Sequence, residues 1–428
     1  MYVDPTKLTD EVKEHLKMNN CKGGATCVQQ RPYEKVFDDV ADFSAAHDIV
    51  IISAGSSYAI YSEVPKMKRL ISQSPIVMRK AQKNDVEIKN YKNCQIRDSA
   101  ALAIFLEMLE SDLKSGSRTW NEMSAQEKLA EIRRGQLNNR GLSFGTISAS
   151  GANGAVIHYT SQPSTNRTLT TSEMYLLDSG GQYLDCTTDV TRTMHYGEPT
   201  DFQKEAYTRV LQGSIDYANA IFPQTSYTSI VETYVRIWLW EAGLEYRHGS
   251  SHGVGVYLYV HEDKGPISDP LQPGIFMSDE PGYYEVGEFG VRLETIIMSK
   301  IADTPNNYDG LTFMTFEPVT FVPFEPNLIK YEDLSIKQRK WLNAYNEKCR
   351  QLTGEELRRQ GQTAAHEWLM RKTEPIPDYP ECTASGGASA RPTLLLLLLA
   401  VASNVLYSHT SHAYGFWRRV LAKVFLES

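Results

Sequence analysis

Four carboxylates stand inside segments that otherwise read as apolar strands. Asp178 ends MYLLD, Asp189 lies in TTDVTRT, Glu280 follows FMSD and Glu294 interrupts GVRLETIIM. A carboxylate in an apolar strand is costly unless a cation or a full set of hydrogen bonds satisfies it. Any single one has an ordinary explanation: an arginine partner, a hairpin end, or a face turned to water. Four of them in one chain, with a glycine-flanked His252 in HGSSHGVG, shift the balance toward cation binding. Hard oxygen donors with one imidazole suit divalent ions such as Mn2+, Co2+ or Zn2+. Asp178 and Asp189 flank a turn and can face each other across a hairpin. Alternation along 291–296 puts Arg292 and Glu294 on one strand face. Glu294 is then either a local partner of Arg292 or a metal ligand that Arg292 orients.

The surrounding pattern is mixed. Residues 1–78 combine a helical segment with short β-rich runs such as HDIVIISAG (47–55), as in part of an α/β unit. From Asn84 to Leu113 the apolar spacing is helical, through Ala101, Leu102, Phe105, Leu106 and Leu109. A second helix is expected to start at Ser124, with Glu127 at capping-box spacing. Strands follow at 173–180 and 187–197, joined by a turn around Gly180–Gly181. The order then recurs, with amphipathic helices at 201–222 and 227–243 and strand-like runs at 253–262, 274–284 and 289–298. Two helices followed by sheet segments, twice over, indicate an α+β fold with two halves sharing one sheet. Residues 335–373 read as two further helices, the first capped by Ser335, and order ends near Pro375.

Three histidines, His248, His252 and His261, fall within the fourteen residues of a glycine-rich stretch that leaves room for close approach. His158, in NGAVIHY, reads on its own as a core histidine. Taken together, LLDSGGQY, TTDVTRTMHYG, HGSSHGVGVYLYVHE, SDEPGYYEVGEFGVRLE and NGAVIHY closely resemble the eukaryotic Xaa-Pro aminopeptidases of the pita-bread metallopeptidase family. The likeness runs from about residue 1 to about residue 378 and includes EWLMRKTEPI.

The resemblance implies a pita-bread catalytic domain over 79–378, two pseudo-symmetric α+β halves sharing a curved sheet. A partial α/β creatinase-like N-terminal domain over 1–78 would precede it, with strand edges and apolar surface left uncovered. It implies a metal-dependent aminopeptidase that removes a residue preceding proline, with proline-containing peptides as partners. Asp178 would bind one ion, Asp189 and Glu294 would bridge two, and His252 and Glu280 would complete the second. The cofactor would be two divalent ions per chain, Mn2+ first, with Zn2+ and Co2+ as competitors. A metal-bridging hydroxide would be the nucleophile and Glu280 the proton relay. His158, His248 and His261 would hold substrate and stabilise the tetrahedral intermediate. Departures from the family pattern are a shortened segment between His261 and Glu280, Cys186 where glycine is usual, and variation at Gly181 and Ser251. The alternatives are a prolidase acting on Xaa-Pro dipeptides and a non-catalytic pita-bread peptide-binding module. Retention of all five ligand types argues against the module.

The net charge of −8 offers no basic face for a phosphate backbone, so nucleic acid is excluded as a partner. The six cysteines form no CxxC pair, and in a chain of this length free thiols are expected. A loop closed by Cys21 and Cys27 is the minor alternative. Beyond Pro380 the composition shifts to small residues, then to an apolar run of about 13 residues from Leu394, short of the roughly 18–20 of a spanning helix. This 379–428 tail resembles a glycolipid-anchor signal, as in the membrane-bound branch of the family, but YSHTSHAYGFWRRVLAKVFLES follows the run. Localisation is then either the cell membrane, if the tail is a true signal, or the cytoplasm. Association into a homodimer is left open.

Overall fold

The computed structural model describes residues 1–18, 27–226, 228–263 and 270–377. The expected anchor-like tail, Cys21 and residues 264–269 of the segment after His261 therefore lie outside the described residues.

Near the N-terminus, helices α1 (Asp10–His15), α2 (Lys35–Ala46), α3 (Tyr58–Ser62) and α4 (Pro75–Ala81) surround a parallel pair, β1 (Val50–Ile52) and β2 (Arg69–Ile71). Its own small core is Val50, Ile52 and Val64, while Ile49, Ile51, Leu70 and Ile71 are exposed.

The long helix α5 (Asp85–Ser115) is fixed at both ends by its sequence. Asn84 and Glu87 form a reciprocal capping box, and Gly116 takes the left-handed conformation that ends it. In α6 (Glu122–Arg134) the cap is Asn121, three residues before the expected Ser124. Ser124 instead takes the third helical position and returns its hydroxyl to the Asn121 amide, the role a glutamate usually fills.

Strands β3 (Asn139–Leu142), β4 (Ile147–Ser150), β5 (Tyr175–Ser179), β6 (Gly181–Tyr183) and β7 (Val190–Met194) follow. They form an antiparallel sheet in the order β4-β5-β7 and a side pair β3-β6. The turn expected at Gly180–Gly181 lies further on, where the Tyr183 amide bonds the Cys186 carbonyl at 2.8 Å. Gly180 is needed for close approach instead, because a Cβ there would lie 2.0 Å from the Thr188 carbonyl oxygen.

Helix α7 (Asp201–Ala218), the short β8 (Phe222–Pro223) and α8 (Thr228–Trp240) lead to the second half. Its strands are β9 (Phe276–Asp279), β10 (Gly282–Glu285), β11 (Phe289–Arg292), β12 (Thr295–Ile301) and β13 (Phe313–Pro318). They form a four-stranded sheet, β8-β13-β12-β9, and the pair β10-β11. Residues 253–262 do not form the expected strand. Leu258 and Tyr259 both have φ of 61°, which folds the apolar run into a turn, and its bridges are isolated ones, Gly253 with Glu262 and with Met277. The buried Lys83 ammonium pairs with Glu262 at 2.5 Å and holds the far end of this turn.

Helices α9 (Ile336–Lys348), α10 (Gly354–Arg359) and α11 (Thr363–Lys372) close the fold, with Ser335 capping α9 as expected. The main core joins Leu102, Phe105 and Leu106 of α5 to Leu177 of β5, Leu211 of α7, Val291 of β11 and Trp368 of α11. This is an α+β architecture with a small α/β portion at its N-terminal end. Its two sheets are stitched where the Glu294 amide bonds the Thr191 carbonyl at 3.0 Å.

The expectation of free thiols is overturned. Cys94 of α5 and Cys186 of the hairpin tip form a disulfide, and Cys27 is also disulfide-bonded. Helix α5 lies along that tip, and the Tyr91 hydroxyl bonds the Thr187 carbonyl at 2.8 Å, so tertiary packing joins residues 92 positions apart. Among the described residues Cys349 is a buried free thiol.

Candidate metal centre

Each half delivers two carboxylates from equivalent places. In the first, Asp178 pairs with Thr191 across β5 and β7, and Asp189 stands just before β7. In the second, Asp279 pairs with Thr295 across β9 and β12, with Glu280 and Glu294 just beyond that pair. His252 comes from the segment beside β9. Its amide donates to Ser278 Oγ at 2.8 Å, and its carbonyl accepts from the Ser278 amide at 2.9 Å.

All eight residues expected at the site line one cavity of about 430 Å3: Asp178, Asp189, His252, Glu280, Glu294, His158, His248 and His261. His252 Nε2 lies 3.4 Å from Asp189 Oδ2, 3.5 Å from Glu280 Oε1 and 3.9 Å from Glu294 Oε1. Its Nδ1 faces the Gly253 carbonyl at 2.8 Å, so Nδ1 carries the proton and the Nε2 lone pair points at the carboxylates. Ligand atoms of Asp178, Asp189 and Glu294 lie within 4.8 Å of one another, as do those of His252, Glu280 and Glu294. These two groups share Glu294. A third group joins Asp189 and His252 to His261, which the sequence reading did not place among the ligands.

This crowd of acceptors lacks enough donors of its own. Asp178 Oδ1 is buried with no protein partner. Burial, then the charges of Asp178 and Glu280, push the Asp189 carboxyl well above the usual range. Burial, then Asp189 and Glu280, do the same to Glu294, and burial raises Glu280. Divalent cations reverse that balance, because a ligating carboxylate is deprotonated. The donor set and its orphaned oxygen therefore fit divalent ions, with Glu294 common to the two groups.

Arg292 does not pair with Glu294. Its Nη2 meets Asp178 Oδ2 at 2.7 Å and its Nη1 donates to the Tyr284 hydroxyl oxygen at 2.8 Å. Arg292 ends β11 opposite Gly282, whereas Glu294 lies past that strand and accepts from Thr191 Oγ1 at 2.9 Å. The alternation assumed across 291–296 breaks between β11 and β12.

The three histidines differ. His248 has both ring nitrogens engaged at 2.8 Å, Nδ1 with the Gly249 carbonyl and Nε2 with the Tyr284 hydroxyl. Burial lowers its imidazole to about 4, the Gly249 hydrogen bond opposing and the Arg292 and Arg236 charges assisting. The His261 ring packs on His252 with centroids 4.1 Å apart, and burial, then the neighbouring His252, lowers its pKa. His158 is exposed on a turn. Sequence reasoning missed Tyr284, Thr191 and Ser278. Thr191 follows Asp189 by two positions, which is the signal that could have found it.

Residues 89–300 match metallopeptidase family M24, residues 312–376 match the C-terminal region of peptidase M24, and residues 1–87 match the creatinase/prolidase N-terminal domain. The chain is 40% identical over 386 residues to Xaa-Pro aminopeptidase ApepP of Drosophila melanogaster, covering 88% of this chain and 62% of that protein. It is 40% identical over 392 residues to human Xaa-Pro aminopeptidase 2, covering 90% of this chain and 57% of that protein. It thus spans less than two thirds of the length of either. Among solved structures, the X-prolyl aminopeptidase of Caenorhabditis elegans, described as a cytosolic enzyme with a di-nuclear active site, superposes with a TM-score of 0.80 at 33% identity. That match covers 88% of this chain and 61% of the nematode chain.

Proposed function

The chain belongs to metallopeptidase family M24, and from that premise we propose that it is a metal-dependent aminopeptidase cleaving the bond between an N-terminal residue and a penultimate proline. One observation carries this reading: five candidate ligands from both halves converge on one cavity whose wall also holds His158, His248 and His261. The names of the relatives at 40% identity supply the substrate class. Residues 79–378 would form the catalytic domain and 1–78 the creatinase-like portion.

Asp178, Asp189 and Glu294 would hold one divalent ion, and His252 and Glu280 the other, with Asp189 and Glu294 shared. Mostly carboxylate oxygen with a single imidazole favours Mn2+ over Zn2+ or Co2+. Two such ions, when bound, polarise a carbonyl and lower the pKa of water. The side chains do the rest. Glu280, held by Ser278 Oγ at 3.0 Å, moves a proton to the departing proline nitrogen. Among the described residues no protein group hydrogen-bonds the rings of His158 or His261, which leaves both able to hold the peptide. His248 serves from the wall, braced by Gly249 and Tyr284. Ile147 and Ile157 on the same wall exclude water around the ring of proline.

The test is turnover of the purified chain with defined metals added back. Xaa-Pro-Xaa peptides should be cleaved, and matched peptides with alanine second far more slowly. Comparable rates on both refute the proline assignment, and a preference for Xaa-Pro dipeptides identifies a prolidase instead.

Self-association belongs to the same reading. Ile230, Tyr234 and Ile237 are exposed along α8 at helical spacing, which supports a homodimer. Sedimentation of the wild type and of Ile237→Glu decides it. Among the described residues no helix is long and apolar enough to cross a membrane. Attachment through the tail is supported by its small residues and apolar run and opposed by the residues that follow the run. Release from cells by a phospholipase that cuts glycolipid anchors would establish it.

A further inference from the structure

Glu122 is a buried carboxylate whose hydrogen bonds all lead to one loop. It is the first residue of α6 and has no solvent exposure. Its Oε1 accepts from the Ser150 amide at 2.7 Å and from Asn153 Nδ2 at 3.0 Å. Its Oε2 accepts from the Tyr159 hydroxyl at 2.7 Å and from the Arg167 amide at 3.0 Å. The donors are two backbone amides, a side-chain amide and a phenol, none of them a cation. The helix N-terminus adds a favourable field for the negative charge.

Those four donors bracket residues 150–167, the loop that carries His158 into the cavity. His158 makes no side-chain hydrogen bond among the described residues, so its position is inherited from the loop. The loop is gripped on another side by β11. Gly154 and Gly290 pack so closely that a Cβ on Gly290 would lie 1.8 Å from the Gly154 carbonyl oxygen.

We propose that Glu122 is a positioning residue for the reaction at the metal centre, fixing the 150–167 loop and through it His158. The effect on catalysis rests on the aminopeptidase reading; the effect on His158 does not. Glutamine at this place keeps the size but turns one acceptor into a donor, so at least one of the four donors loses its partner.

The test compares Glu122→Gln, His158→Ala and the double variant in the metal-loaded full chain. On a Xaa-Pro-Xaa peptide, kcat/KM of Glu122→Gln should fall about tenfold to a hundredfold with metal content unchanged. If Glu122 acts through His158, the double variant is no worse than His158→Ala. Losses that multiply overturn the proposal. Histidine-labelled NMR supplies a readout independent of turnover. The His158 resonance, identified by its absence in His158→Ala, should shift or broaden in Glu122→Gln while that of the remote His366 stays. An unmoved His158 resonance overturns the proposal whatever the activity. A wild type inactive with every metal defeats the aminopeptidase reading and leaves the NMR comparison to decide this one. Should Glu122→Gln not fold, Asn153→Ala removes one donor and should show the same pattern at smaller amplitude. Wild-type kcat/KM and an unshifted His158 in that variant would overturn it.

Discussion

Arg292 Nη2 lies 2.7 Å from Asp178 Oδ2, although Glu294 stands only two residues along the same segment. The guanidinium reaches across to the first half and leaves Glu294 to Thr191 Oγ1. One buried cation thus orients a carboxylate of one half from a strand of the other, and it also fixes the Tyr284 hydroxyl.

Replacing Arg292 by methionine should therefore weaken metal binding by about tenfold to a hundredfold, the usual effect of losing a group that orients a ligand. Arg292→Lys should not restore it, because one ammonium cannot reproduce the forked contact with Asp178 and Tyr284. Calorimetric titration of the stripped protein with Mn2+ checks both. Wild-type affinity in Arg292→Met would show that Asp178 needs no such support.

Glu280→Gln should fold normally and lose turnover by roughly 10²- to 10⁴-fold, the range for removing a general acid or base. Its neighbours Ser278 and Ser250 hold the residue through groups that an amide can also satisfy. Wild-type turnover in the metal-loaded variant would remove Glu280 from the mechanism.

His158→Ala and His248→Ala should lower turnover and keep both metal equivalents, since neither ring belongs to a ligand group. Elemental analysis after dialysis reads this directly. Loss of a full equivalent in either variant would mean the ligand set is misassigned.

Cys94→Ser, paired with Cys186→Ala, should cost about 2–4 kcal/mol of stability, the usual effect of removing a disulfide. The bond joins residues 92 apart and ties α5 to the hairpin that ends in Asp189. Equilibrium urea unfolding under non-reducing conditions measures the loss. Equal stability of the variant and the oxidised wild type would deny the bond this role.

Lys372 Nζ lies 2.7 Å from Glu325 Oε2 and 3.0 Å from Glu110 Oε2, tying α11 to α5 and to the segment after β13. Burial opposes ionisation of Glu110, but the Lys372 charge and the hydrogen bonds from Lys114, Trp368 and Lys372 outweigh it and bring its pKa down to about 2. A carboxyl held below its unfolded value stabilises the fold fully above that value, 4.5, and loses the contribution as pH falls toward 2. Lys372→Met should cost about 3 kcal/mol near neutral pH by leaving the buried Glu325 unpaired. It should also flatten the acid limb of the stability curve between those two values. Denaturant midpoints taken across that range check it, and an unchanged acid limb would place the acid sensitivity elsewhere.

Much of the fold was legible because it is local. The helical spacing from Asn84 to Leu113, and Ser335 as the cap of α9, follow from side chains a turn apart. The five candidate ligands were legible for a different reason. A carboxylate in an apolar strand stands out in one dimension, and the family resemblance then gave each one a role. Local signals failed where two groups competed for one task. Asn121 outbid Ser124 as a cap, and the aromatic run at 256–260 folded into a turn through Leu258 and Tyr259 despite its strand-forming composition.

The sequence by itself determined most element types, the chemistry of the ligands and the family, because these depend on residue identity and on spacing within one segment. Only the tertiary structure decided which residues meet. It gave Arg292 to Asp178, His248 to Tyr284, Cys94 to Cys186, and Glu122 to the loop of His158. Each of those pairings spans 28 residues or more in the chain. Their geometry comes from how separate elements pack, within a half or between halves, which no periodicity within a single element records.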